Sequence, residues 1–196
     1  MRLPTAAVIA WNLVLLAPVT AWAADSGRVK IGDKVPSFIV DDDEGQPWNS
    51  EDHVGKKILV MYFYPADMTG GCTAQACSFR DDMGTLADAD VEVVGISGDS
   101  VENHQKFKKA HRLNFTLLAD VDGKVADLLG VPKTIGERIV NTTIDGVDFT
   151  LTRQVTTKRW TFIFDRSGRI AYIDDSVKAK VDSQTVANAI AKMKSS

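Results

Sequence analysis

Cys72 and Cys77 are the only cysteines in this 196-residue chain, and they stand five positions apart. Their surroundings suit thiol chemistry. An apolar run, Ile58 to Tyr64, reads as a buried strand. Pro65 ends it, because proline has no N–H to give to a ladder. Thr69, Gly70 and Gly71 form a short loop, and Thr73 to Leu86 carries good helix formers with apolar residues at helical spacing. Cys72 therefore falls at a strand–loop–helix junction. A helix N-terminus favours the nucleophilic thiolate. Flexible glycines let the backbone approach a ligand, and unpaired N–H groups at a helix start can hold an oxyanion. The plainer alternative is a structural cysteine buried beside a tight turn.

The spacing of the pair narrows the choice. On an intact helix, five residues mean about 7.5 Å of rise and about 140° of rotation. Cysteines so placed cannot meet disulfide geometry without backbone movement. A permanent bridge is disfavoured, whereas a transient one is open to a helix whose first turns unwind. A zinc site is a weaker reading, because His53, His104 and His111 lack ligand spacing to the cysteines.

The run Pro65-x-x-x-Thr69-x-x-Cys72 resembles the Pro-x-x-x-Thr/Ser-x-x-Cys signature of peroxiredoxins. Cys77, five residues on, resembles the second cysteine of the bacterioferritin comigratory protein, or Q-type, subgroup. Where that family often has Thr-Pro-Gly-Cys, this chain has Thr69-Gly70-Gly71-Cys72, and Gln75 stands where many relatives carry Glu. Lys30 to Phe38 is similar to the family's opening segment, and Ser97 to Ser100 to its loop after the next strand. Arg159-x-Thr161-Phe162-x-x-Asp165-x-x-Gly168 matches the stretch whose arginine lies over the reactive cysteine. Lys158 is the nearest rival for that role.

The resemblance covers nearly all of residues 29–193. It implies an α/β domain with a thioredoxin-like fold, a central mixed sheet flanked by helices. It implies a peroxidase with Cys72 as peroxidatic and Cys77 as resolving cysteine. Thr69 would hydrogen-bond both the peroxide and the Cys72 thiolate, Arg159 would lower the thiol pKa and bind peroxide, Gly71 would offer its backbone N–H, and Pro65 would shield the site. Peroxide is then the substrate and a thioredoxin-like protein the reductant. The expected protein is a monomer or weak dimer with no metal, haem or flavin. Two rival classes stay open. One is an exported thiol–disulfide oxidoreductase, though such enzymes normally use Cys-x-x-Cys. The other is a non-enzymatic domain with a structural bridge.

The remaining chain supplies the frame. Residues 1–23 read as a secretory signal: Arg2, then an apolar Ala6 to Ala17, then Ala21-Trp22-Ala23 before the cut. Export, most simply to a bacterial periplasm, is expected, with no stable membrane association after cleavage, and residues 24–196 form one domain. Net charge is −3, or −4 without the leader, whose only charge is Arg2. That balance leaves no footprint for nucleic acid. Asp41 to Gly45 suggests a solvated hairpin turn, and Trp48 is expected to pack on the sheet. Val91 to Ser97 reads as a second buried strand, and Ser100 as the N-cap of a helix from Val101 to His111. His104 and Phe107 there read as packing or surface residues. Phe115 to Ala119 reads as a strand, Lys124 to Leu129 as a short helix closed by Gly130, and Thr134 to Lys158 as an extra hairpin. Arg159–Asp165 and Arg169–Asp174 form a second hairpin. Ser183 to Met193 closes the chain as an amphipathic helix.

Overall fold

The computed structural model describes residues 28–194; the leader read at 1–23 lies outside the described residues. Strands β1 (Ile39–Asp41) and β2 (Pro47–Asn49) form a small antiparallel hairpin. The chain then enters β3 (Ile58–Phe63), whose six residues are all buried. Helix α1 (Gly70–Asp88) follows, then β4 (Val91–Ser97), α2 (Val101–His111), β5 (Thr116–Ala119) and α3 (Lys124–Leu128). A long ribbon, β6 (Lys133–Ile144) and β7 (Val147–Thr157), precedes β8 (Trp160–Phe164), β9 (Ile170–Asp174) and α4 (Asp182–Lys194).

Five strands make the central sheet, in the order β5-β4-β3-β8-β9. The pairs β5–β4 and β4–β3 are parallel, and β3–β8 and β8–β9 are antiparallel. This is the mixed sheet expected. Because side chains alternate along a strand, β3 supplies both faces of the core. Val60 and Tyr62, with Tyr64 just beyond, pack against Phe79 of α1, Phe107 of α2 and Val186 and Ile190 of α4. Leu59, Met61 and Phe63 pack on the other face, with Trp48, Trp160 and the buried side of α3. Among the described residues no helix is long and apolar enough to cross a membrane.

Local signals account for most boundaries. Ser100 Oγ accepts from the Asn103 N–H, capping α2, and Arg112 ends that helix in the left-handed region at φ 50°. The β6–β7 ribbon turns on Asp145 and Gly146, both at positive φ (52° and 81°), which suits a two-residue hairpin. Its register shifts between Ile135 and Arg138, around Gly136.

The acidic turn departs from expectation. Asp43 is buried, not solvated. Its carboxylate accepts from the Leu117 N–H at 2.7 Å and from Lys108 Nζ at 2.6 Å, tying the β1–β2 turn to β5 and α2. An edge-strand N–H that would otherwise go unpaired explains why a carboxylate is kept there.

Candidate active site

The antiparallel register of β3 and β8 builds the site. Trp160 lies opposite Phe63, so Arg159, one residue earlier, sits beside the end of β3 where the Pro65–Thr69 loop departs. That loop leads directly into α1, with Thr69 extended at the N-cap position. The first helical bond there is Thr73 N–H to Thr69 C=O, at 2.8 Å. The N–H groups of Gly70, Gly71 and Cys72 come before it and have no partner within the helix.

Cys72, the third residue of α1, is 2% exposed. Its Sγ accepts from Arg159 Nη2 at 3.2 Å. The guanidinium also lies against the Gly71 backbone: a Cβ there would stand 3.5 Å from the same Nη2, an ordinary contact. Lys158, the rival cation, is exposed, while Arg159 is half-buried. Cys77 is half-buried and unpaired, further along the same unbroken helix. Pro65 is half-buried at the head of the loop. Thr69 is brought to the site with its proton already used: Oγ1 donates to the Ala66 carbonyl at 3.0 Å. Its oxygen is thereby left to accept, not to donate to the sulfur. The structure thus brings Cys72, Arg159, Gly71 and Thr69 together and leaves Cys77 apart. Among the described residues no group of three or more His, Cys, Asp and Glu side chains is arranged to hold a metal ion.

Several contributors were not singled out from sequence. Gln75, a minor variation when read as sequence, is fully buried and accepts from Arg159 Nη1. Its Nε2 donates to Asp182 Oδ2 at 2.6 Å, and Thr161 Oγ1 donates to that same oxygen at 2.8 Å. Asp182 is 1% exposed, and its Oδ1 has no partner. Burial raises its pKa above the usual carboxylate value; the Gln75 and Thr161 hydrogen bonds oppose this, Asp174 adds to it and Arg159 opposes it. Tyr62, fully buried, keeps its proton, because burial and the nearby acidic groups push its pKa far up.

A second buried network holds the loop. His104 is fully buried, neither surface nor mere packing. Its Nδ1 meets Asp67 Oδ2 at 2.8 Å and its Nε2 meets the Leu118 carbonyl at 3.2 Å. Both ring nitrogens thus face oxygen partners, an arrangement that favours the protonated imidazole. Burial alone would lower the His104 pKa, but Asp67 and Asp99 outweigh it and the net shift is upward. Asp67 also accepts from Tyr64 Oη at 2.7 Å, and its N–H donates to Asp99 Oδ2 at 2.9 Å. The residues preceding Thr69 are thereby anchored to β3, β4 and α2. In sequence, the spacing of Asn103, His104 and Phe107 hints at one inward helix face, but nothing pairs His104 with Asp67.

The model of the AhpC/TSA family matches residues 31–173. The chain belongs to that family, the peroxiredoxins. This peroxiredoxin is 38% identical to peroxiredoxin Bcp of Escherichia coli (strain K12) over 161 residues, which cover 82% of this chain and 94% of that one. It is 48% identical to chloroplastic peroxiredoxin Q of Sedum lineare over 108 residues, 55% of this chain and 58% of that one. The crystal structure of peroxidoxin BcpB from Mycobacterium tuberculosis matches its fold with a TM-score of 0.68 at 29% identity, covering 86% of this chain and 98% of that one. Bcp and Q-type proteins are thus its relatives, and its fold is thioredoxin-like. As a peroxiredoxin it is an oxidoreductase, a thiol peroxidase.

Proposed function

We propose that this peroxiredoxin reduces hydrogen peroxide and alkyl hydroperoxides through a Cys72 sulfenic acid that Cys77 resolves as an intramolecular disulfide. The observation that carries the reading is the Arg159 guanidinium 3.2 Å from a buried sulfur in the first turn of a helix. The Cys72 thiolate attacks the terminal hydroperoxide oxygen. An S–O bond forms, the O–O bond breaks, and the leaving oxygen takes up a proton as water or an alcohol. Arg159 stabilises the thiolate and the charge that develops on the leaving oxygen. The N–H groups of Gly71 and Cys72 face the same charge, and Thr69 Oγ1 accepts the hydroperoxide O–H. Pro65 limits water at the loop.

The Cys77 thiolate then attacks the Cys72 sulfur, forming the S–S bond and expelling hydroxide as water. The first turns of α1 unwind for this step, because five helical residues hold the two thiols apart. A thioredoxin-like dithiol restores both thiols by exchange. A thiol–disulfide oxidoreductase acting on protein clients is disfavoured, since such enzymes normally use Cys-x-x-Cys and Cys72 is only 2% exposed. Export after cleavage before Ala24, and a monomer or weak dimer in solution, complete the reading. N-terminal mass spectrometry of secreted protein and light scattering test those two points.

The deciding experiment is stopped-flow peroxide reduction with mass spectrometry of the quenched product. Cys72→Ser abolishes the reaction, and Cys77→Ser keeps one turnover and accumulates the sulfenic acid. A wild-type rate no faster than a free thiol would sink the proposal.

A further inference from the structure

Between Arg159 and Asp182 lies one amide, and its direction matters. Gln75 Nε2 points to Asp182 Oδ2, so Oε1 necessarily points to Arg159 Nη1. A reversed amide would aim N–H groups at the guanidinium, which only donates. A free glutamine side chain has no preference between the two directions. Here an acceptor-only carboxylate makes the choice, and Thr161 fixes that carboxylate by donating to the same oxygen. All three are buried, so water offers no substitute partner. Arg159 Nη2 is then free to face Cys72.

We propose that Asp182 is a positioning residue for the reactive cysteine: through Gln75 it orients the Arg159 guanidinium over Cys72. The inference rests on the peroxidase reading for its consequence, although the coupling itself concerns only the thiol. The charged and titratable groups around Asp182 are Arg159, the residue ahead of β8, Asp174 and Tyr172 of β9 and Tyr62 of β3. None of them reaches Gln75 by a hydrogen bond except Arg159. Asp182 opens α4 and stands 107 positions from Gln75, so its place in the chain reads as an ordinary helix start.

The test uses Asp182→Asn, which is nearly the same shape but can donate as well as accept and so lets the Gln75 amide reverse. Two readouts are compared: the second-order rate with peroxide, and the pH midpoint of Cys72 alkylation by iodoacetamide in a Cys77→Ser background. Losing one charge-assisted bond in the chain lowers the peroxide rate about tenfold. It moves the alkylation midpoint up by roughly half to one pH unit. Two further variants separate positioning from folding. In a Gln75→Met background, Asp182→Asn causes no further change, because the link is already cut. In Gln75→Glu/Asp182→Asn the carboxylate acts on Arg159 directly and both readouts recover. An Asp182→Asn protein with a lower melting temperature but unchanged rate and midpoint overturns the proposal. So do effects of Gln75→Met and Asp182→Asn that simply add. If the wild-type protein itself proves slow with peroxide, the alkylation series still decides whether Asp182 acts on Cys72.

Discussion

Gly70→Pro tests how the first turn of α1 is balanced between order and opening. Gly70 is the first helical residue, and its N–H has no helical partner to lose. Thr69 before it is extended at φ −94°, ψ 144°, the region a residue preceding proline prefers. A Cβ at Gly70 would meet nothing within 4 Å, and its φ is not positive. The ring therefore enters without strain and removes freedom from the unfolded chain. Such replacements are worth about 0.4–1 kcal/mol. For a chain of this size that raises the melting temperature by roughly 1–4 °C. The same term favours the wound first turn over the unwound one, by about two- to fivefold. The peroxide step keeps its rate or gains, while closure of the Cys72–Cys77 disulfide slows two- to fivefold. The longer-lived sulfenic acid is then more often oxidised to sulfinic acid. Calorimetry and acid-quenched mass spectrometry over time read these effects. A lower melting temperature would show that Gly70 needs freedom proline denies. A raised melting temperature with unchanged closure would show that opening does not begin at this turn.

Arg159→Met keeps the apolar stem and removes the guanidinium. The peroxide rate constant should fall about 10²- to 10³-fold in stopped-flow traces, with Arg159→Lys intermediate; an unchanged rate would remove Arg159 from the mechanism. His104 should make stability pH-dependent. Burial works to lower its pKa, but Asp67 and Asp99 outweigh it, so its folded pKa lies above that of a free imidazole. Its ion pair with Asp67 is therefore complete below an unfolded pKa of about 6.5 and is lost as pH rises through the folded value. Urea titrations should show stability falling on that alkaline side, and a flatter profile for His104→Gln; parallel profiles would refute the imidazolium assignment. Asp43→Ala leaves the Leu117 N–H of β5 without its carboxylate, which should cost about 1–3 kcal/mol in denaturant unfolding. A change within a few tenths of a kcal/mol would mean that water takes its place.

The local parts of this structure were legible in the chain itself. Apolar runs, Pro65 and Ser100 act on residues a few positions away, so β3, β4 and α2 were read to within a residue, whereas residues 134–158 were legible only as an extra hairpin, without the bounds of its two strands. Cys72 announced itself by lying between a strand and a helix. Arg159 needed a family pattern, because only the β3–β8 register carries it to the cysteine. Asp43, His104 and Asp182 were read as a solvated turn, a packing or surface residue and nothing at all. Each is a polar side chain made useful by a partner brought from elsewhere: Leu117, Asp67 and Gln75. Charge in a sequence suggests water; burial with a partner is decided by tertiary structure, and a single chain holds no local sign of it.

Gln75 lies between the two cysteines on α1. A helix opened far enough to join Cys72 to Cys77 cannot keep Gln75 seated between Arg159 and Asp182. Closing the disulfide would thus dismantle the assembly that primes the sulfur, and reduction would rebuild it by refolding two turns. Under the proposed disulfide cycle such a site would work as an interlock: it would be armed only when discharged of its last oxidation, and the reductant would meet a differently shaped surface from the one peroxide meets.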